Sequence, residues 1–387
     1  MSSSLWQKRY AMSWGRPVGG ASLPRTADAS HEAEAASQAL DWRRLYVAKA
    51  ALERRWRAGQ CKVTSLPHNG VSVVQLWRGA AREPGLGSIG SPAAEPQLSW
   101  EWEFVSGDSK GFLRVWDGSA FTPTKSLQLH HTQIWWLEVK DDLCVSISAD
   151  GKVKVTDLEK LEGIRDLEGH EGNAVWGVDF HVEHDVVISG DQRGLFIVHR
   201  LSTGEQLFSH SFPWGVIDCR YIASLRRCVV SLPGPDIHVI DLATEEVTKW
   251  KGHEGGTIMC LRLHDDLLLS GCEDKTVRIW DVKTGECVRV FETQGTTYDV
   301  RLCDDKLVAA VTNRSGESLL RVWHFATGEL CCDIPLHQRT NRTYSLTVLP
   351  DRVREEEVQE LCADDKARQV FPTVVPIHSS SNSLVYI

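Results

Sequence analysis

Residues 252–281, GHEGGTIMCLRLHDDLLLSGCEDKTVRIWD, are one copy of a unit that the chain repeats. Stretches with similar endings close at Asp117 (FVSGDSKGFLRVWD), Asp157 (SISADGKVKVTD), Arg200 (VISGDQRGLFIVHR), Asp241 (VVSLPGPDIHVID), Asp281 and His324 (RVWH). Successive ends lie 40, 43, 41, 40 and 43 residues apart. Within each unit, short runs of Val, Ile and Leu alternate with Gly, Asp and Ser turns, the pattern of four short antiparallel strands. One such sheet cannot bury its own faces, so the copies must stack on one another, and this period is that of a β-propeller blade. The fold expected is therefore all-β, and function belongs on a surface that the copies build jointly.

The best copy carries Gly252-His253 before its first strand, Ser270 in the second, Asp274 in the turn and Trp280-Asp281 closing the third. On these residues, residues 62–349 resemble the WD-repeat family, in which the His, Ser, Asp and Trp of a blade are linked by side-chain hydrogen bonds. The resemblance implies a structural network of His253, Ser270, Asp274 and Trp280 rather than acid–base chemistry, since buried polar groups need partners. Other copies are eroded: Lys110 and Arg193 stand at the offset of Asp274, and Thr156 replaces the Trp.

Six third-strand endings are visible, and residues 337–348 (HQRTNRTYSLTV) begin another unit, which leaves six or seven blades. Seven is the preferred count, with a strand from residues 61–66 (CKVTSL) pairing with the tail, residues 373–387, because an unclosed edge strand invites association with other chains. Between them, residues 351–369 form a charged stretch read as a helix or solvated insertion. The chain thus divides into an α-helical segment, 1–60, and a propeller, 61–387.

Residues 30–60 read as a helix, with Ser30 as N-cap, Glu32 and Glu34 in the first turn and Gly59 as its stop. Trp42, Leu45, Tyr46, Val47, Leu52 and Trp56 give it an apolar side that needs a dock. Residues 4–15 (SLWQKRYAMSWG) resemble the end of an F-box, and residues 41–56 (DWRRLYVAKAALERRW) the helix that links an F-box to its propeller in F-box/WD-repeat proteins. The front of an F-box has no counterpart before Leu5. The resemblance implies the target-recognition subunit of a cullin-based ubiquitin ligase, with Leu5, Trp6, Trp14, Trp42, Leu45 and Tyr46 facing a Skp-type adaptor and cullin. The competing reading is a scaffold or assembly protein with no link to ubiquitin.

Aligning the starts of the innermost strands puts Trp135, Trp176, Met259, Tyr298 and Tyr344 in one column, with Trp136 and Trp214 a residue away. Bulky residues at this column ring a channel mouth, where aromatics supply binding energy. Lys110, Arg193, Arg301, Arg339 and Arg342, if on the same face, suit an acidic or phosphorylated peptide, with Arg301 and Arg342 as its main contacts.

Composition narrows the alternatives. A net charge of -9 excludes a broad nucleic-acid footprint. No apolar run is long enough for a membrane span and no secretory leader opens the chain, so the cytoplasm, with the nucleus as an option, is the expected compartment. Eleven Cys without a CxxC pair read as reduced thiols, not a metal site. No nucleophile with its base, metal cluster or phosphate loop appears at usable spacing; residues 85–90 (GLGSIG) lack the strand-then-helix context. The expectation is a protein-binding chain, not an enzyme, without cofactor or metal.

Overall fold

The structure, a computed structural model, describes residues 62–65, 71–81, 100–336 apart from 119, 121, 304 and 314, and 343–348, 374–378 and 383–386. All fall in one compact unit, residues 61–349 with 373–386. It begins with β1 (Lys62–Ser65). Blade I holds β2 (Val71–Ala81), β3 (Trp100–Asp108), β4 (Phe112–Asp117) and β5 (Thr122–Gln128). Blade II holds β6 (Ile134–Lys140), β7 (Leu143–Ser148), β8 (Val153–Asp157) and β9 (Glu162–Leu167). Blade III holds β10 (Val175–His181), β11 (Val186–Asp191), β12 (Leu195–Arg200) and β13 (Gln206–Ser211). Blade IV holds β14 (Asp218–Ile222), β15 (Arg227–Ser231), β16 (Ile237–Asp241) and β17 (Val247–Trp250). Blade V holds β18 (Ile258–His264), β19 (Leu267–Cys272), β20 (Thr276–Asp281) and β21 (Cys287–Glu292). Blade VI holds β22 (Thr296–Cys303), β23 (Lys306–Thr312), β24 (Ser318–His324) and β25 (Leu330–Leu336). The last strands are β26 (Thr343–Val348), β27 (Val374–His378) and β28 (Ser383–Tyr386).

Each blade is an antiparallel meander, and the first strands β2, β6, β10, β14, β18, β22 and β26 each lie against the next, with β26 returning to β2. The expected seven blades with an N-terminal helical segment require correction. Six four-stranded sheets form, and the position between blades VI and I is held by two two-stranded sheets, β26–β27 and β1–β28. The tail offers only two short apolar runs after β26 and no Trp-Asp third strand, so a complete blade cannot be assembled there. β1 does pair antiparallel with β28, Lys62 opposite Tyr386 through Ser65 opposite Ser383. Among the described residues the one helix is a single 3-10 turn, Ala223–Leu225. The helix expected within residues 1–60, and with it Leu5, Trp6, Trp14, Trp42, Leu45 and Tyr46, lies outside the described residues, as does the charged stretch 351–369.

Burial follows position in the blade. Second strands such as β11 are buried along their whole length, because both faces of the sheet are covered by neighbouring blades, whereas the outermost strand β5 is almost wholly exposed. The core accordingly lies between blades: Ile222, Val229 and Val239 of blade IV pack with Leu261, Leu268 and Trp280 of blade V. The turn after the third strand explains the closing Asp of blades I, II, IV and V. Asp281 Oδ1 accepts hydrogen bonds from Lys283 N at 2.8 Å and Thr284 N at 3.0 Å, after which Gly285 takes a φ of +73° that an L side chain rarely adopts.

Candidate functional site

Three features organise the propeller: hydrogen-bonded triads inside blades, a charged channel, and a column of aromatic residues on the first strands. In blade V, His253 Nδ1 lies 2.8 Å from Asp274 Oδ2 and His253 Nε2 lies 2.7 Å from Ser270 Oγ, while Trp280 Nε1 donates to Ser270 Oγ at 2.8 Å. A carboxylate only accepts, so Nδ1 carries the proton and Nε2 accepts from Ser270. The result is a one-way chain from the Trp280 N–H through the Ser270 hydroxyl to His253 and on to Asp274. Burial raises the Asp274 pKa, but hydrogen bonds from His253 and Thr276 outweigh it and hold the carboxyl below its usual range. Gly252 is required by packing, since a Cβ there would come within 2.6 Å of the Trp280 ring.

Two further triads are present. His130 Nε2 lies 2.9 Å from Ser146 Oγ and its Nδ1 3.2 Å from Asp150 in blade II, and His170 meets Ser189 at 2.7 Å and Asp191 at 3.1 Å in blade III. Burial lowers the pKa of His130, which is therefore neutral near pH 7. Alignment at a fixed Ser–Trp spacing missed the acid of blade III because Asp191 sits two residues ahead of Arg193, where its Oδ1 also caps the turn through the N–H groups of Arg193 and Leu195. Asp108 takes the same place in blade I, accepting from Lys110 N and Phe112 N and pairing with Arg114 at 2.5 Å. The Gly169-His170 pair, parallel to Gly252-His253, was the available signal.

Ser, His and Asp in a row have the composition of a hydrolytic triad. Here Ser146, Ser189 and Ser270 are all at 0% exposure, so no substrate reaches a hydroxyl. His253, Cys272 and Asp274 have ligand-type atoms within 4.8 Å of one another. Burial pushes the Cys272 thiol up to about 12 and it donates to Gly255 O at 3.4 Å, while His253 and Asp274 are already hydrogen-bonded to each other and to Ser270 and Thr276. These residues hold the blade together.

The aromatic column coincides with a repeated irregularity. Pairing of first and second strands slips once in blades II, III, V and VI and in the β26–β27 sheet, between Ile134 and Trp136, Val175 and Gly177, Ile258 and Cys260, Thr297 and Asp299, and Thr343 and Ser345. The extra residue at each slip is Trp135, Trp176, Met259, Tyr298 or Tyr344, so the aligned column is a column of β-bulges. A bulge re-aims the side chain that it carries. Trp135 is 42% exposed and Trp176 40%; Trp214, in the loop before β14, is 62% exposed. A Cβ on Gly215 would lie 3.1 Å from the Trp176 ring, which places Trp176 against the loop that holds Trp214. Met259 and Tyr298 are half-buried, and Tyr344 occupies the same strand position. Trp136, the next residue on β6, is instead buried; its Nε1 donates to Glu138 Oε1 at 2.8 Å and its ring lies 4.5 Å from the Arg262 guanidinium.

Three residues beyond the bulges of blades II, III, V and VI stand the charged residues Glu138, Asp179, Arg262 and Arg301, which with Arg220 of β14 line the channel. Glu138 and Asp179 on β6 and β10 face Arg220, Arg262 and Arg301 on β14, β18 and β22. Arg220 reaches Glu138 at 3.2 Å and Asp218 at 3.1 Å; Arg262 reaches Asp218 and Asp299 at 2.8 Å each; Lys140 reaches Asp179 at 2.7 Å. Asp179 and Asp218 also accept from the N–H of Tyr221 and of Leu261 on the following strand, 2.9 and 3.0 Å away, stitching neighbouring blades. Arg301 therefore lies inside the channel, beside Asp299, and not with the exposed tryptophans; Arg342 lies outside the described residues.

Comparison with known proteins agrees with this architecture. The family described as WD domain, G-beta repeat matches residues 162–197 and 244–281. Mitochondrial division protein 1 of Saccharomyces cerevisiae is 21% identical over 209 residues, which cover 49% of this chain and 26% of that protein. F-box/WD repeat-containing protein 10 of Mus musculus is 45% identical over 58 residues, 14% of this chain and 6% of that one. WD repeat-containing protein pop1 of Schizosaccharomyces pombe is 32% identical over 105 residues, 26% and 13% of the two chains. The matched segments thus span about a quarter or less of these relatives. Among solved structures, that of U3-55K superposes with a TM-score of 0.61 at 14% identity, covering 84% of this chain and 98% of that one. The chain is thus a β-propeller that carries WD repeats at residues 162–197 and 244–281. Among the described residues no helix is long and apolar enough to cross a membrane.

Proposed function

We propose that this propeller is the target-recognition subunit of a cullin-based ubiquitin ligase, acting in the cytoplasm or nucleus. Its tryptophan mouth takes a target protein, and residues 1–60 hold a Skp-type adaptor. The first half is supported by the exposure of Trp135, Trp176 and Trp214, large apolar rings left in solvent, the first two at corresponding bulges of neighbouring blades. A folded chain gains by burying such rings, and each contributes about 2 kcal/mol or more when a partner covers it. The second half is supported by the F-box-like residues 4–15 and by the 45% identity to an F-box/WD-repeat protein over 58 residues.

The test is a pair of co-purifications. The full chain is expected to retain an adaptor, a cullin and target proteins; deletion of residues 1–60 should lose the first two alone, and Trp135→Ala with Trp176→Ala and Trp214→Ala should lose the targets alone. Targets without adaptor or cullin from the intact chain would leave a scaffold and remove the ligase. Targets retained by the triple variant would remove the tryptophan mouth.

A further inference from the structure

We propose that Trp136 is a positioning residue: its buried indole, clasped across the channel, fixes the direction in which the neighbouring Trp135 is presented to a partner. The two tryptophans stand in a row at the β6 bulge, yet Trp135 is 42% exposed and Trp136 only 9%. Ile134 pairs with Ser148 and Trp136 with Ile147, which leaves Trp135 as the extra residue of the bulge. Such a residue has no partner in the ladder, so cross-strand pairing does not fix its backbone. Its two neighbours do: Ile134 is packed in the core between blades, and Trp136 is held in the channel.

The clasp has two parts. Trp136 Nε1 donates to Glu138 Oε1 at 2.8 Å, and the same oxygen lies 3.2 Å from Arg220 Nη2 on β14. The Arg262 guanidinium on β18 lies 4.5 Å from the centre of the Trp136 ring, and Arg262 is itself held by Asp218 and Asp299 at 2.8 Å each. A side chain of blade II is thus tied to blades IV and V. Burial strengthens both contacts, because water does not compete for the indole N–H or for the face of the ring.

Among the bulges of blades II, III, V and VI the clasp is confined to blade II. The residue after the bulge is Gly177 in blade III, Cys260 in blade V and Asp299 in blade VI. A Cβ on Gly177 would come within 3.0 Å of Asp218 Cα, so in blade III close backbone packing takes the part that the indole plays in blade II. A ring held in one direction loses less freedom on binding than one that swivels, so Trp136 raises affinity without touching the partner. That role in capture rests on the tryptophan surface proposed above; the orientation of Trp135 does not.

Fluorine NMR of the full chain labelled with 5-fluorotryptophan reads the orientation of Trp135 without any partner, its resonance assigned by Trp135→Phe. Glu138→Leu removes the acceptor and is expected to shift or broaden the Trp135 signal while those of Trp176 and Trp214 stay in place. Glu138→Gln keeps an oxygen for the indole N–H and should restore it. Trp136→Phe keeps a ring beside Arg262 but has no N–H; it should move the Trp135 signal as Glu138→Leu does, and it decides if that variant fails to fold. A target recovered by co-purification should bind the displaced variants about tenfold more weakly. A Trp135 signal unmoved in every folded variant, equal movement of Trp176 and Trp214, or undiminished affinity where Trp135 has moved would overturn the proposal. A signal as displaced in Glu138→Gln as in Glu138→Leu would assign the effect to the Arg220 pair and overturn it equally. Failure to recover any target would remove the tryptophan surface and leave the fluorine result to decide the positioning.

Discussion

Replacing Ser270 by alanine tests the reading of the triads as load-carrying hydrogen-bond chains. Ser270 Oγ is fully buried, accepts from Trp280 Nε1 at 2.8 Å and meets His253 Nε2 at 2.7 Å. The substitution strands two buried polar groups, each costing about 1–3 kcal/mol, so a loss of about 2–6 kcal/mol is expected. The same change in blades II and III strands one group each. Thr156 stands where a Trp would reach Ser146, and in blade III His199 fills that place but bonds to Glu168 O, so Ser189 serves His170 alone. Ser146→Ala and Ser189→Ala should therefore each cost about 1–3 kcal/mol. Urea unfolding followed by circular dichroism should rank Ser270→Ala below both others, with equal slopes. Equal losses in all three, or a loss under 1 kcal/mol in Ser270→Ala, would refute the directed chain.

Further predictions address closure, packing and pH. Deleting residues 1–66 removes β1 and leaves β28 unpaired, so its urea midpoint should fall below that of a deletion of residues 1–60; identical midpoints would show that the β1–β28 pair contributes nothing. Gly252→Ala drives a Cβ against Trp280 and should cost about 1–3 kcal/mol, checked by thermal unfolding, where an unchanged Tm would contradict the packing. The folded pKa of His130 is lowered, so its contribution is complete above the unfolded value of about 6.5 and is lost as pH falls through the folded one. Asp150, Asp191 and Asp274 are lowered too, so theirs is present above about 3.9 and lost on further acidification. Unfolding midpoints should therefore drop in two stages from pH 8 to pH 3, the second smaller in Asp274→Asn; a rise between pH 7 and pH 5 would contradict the sign.

Much of the architecture was legible because the repeat is written in the chain. The period places six third strands correctly, and the aromatic column of the sequence is the bulge column of the structure. What sequence could not resolve has local physical causes. A blade needs four contiguous apolar runs, and the tail supplies its runs in fragments, so adding residues 337–348 and the tail to the six endings as a seventh blade overstated completeness. The acids of blades I and III slid to Asp108 and Asp191 because the turn can be capped from two residues earlier, which a fixed offset from the serine overlooks. Arg301 looked like a rim charge, yet strand alternation three residues past a bulge turns it inward beside Asp299. Glu138, Asp179, Arg220 and Arg262 escaped notice because charged residues on a strand read as solvent-facing until a closed ring gives them an interior.

The most direct measurement is fluorine NMR of the chain labelled with 5-fluorotryptophan, titrated with a target recovered by co-purification, each resonance assigned by substitution. Binding at the aromatic mouth should shift or broaden the signals of Trp135, Trp176 and Trp214 while those of the buried Trp116 and Trp280 stay in place. A bound target that leaves those three signals unmoved would contradict the account.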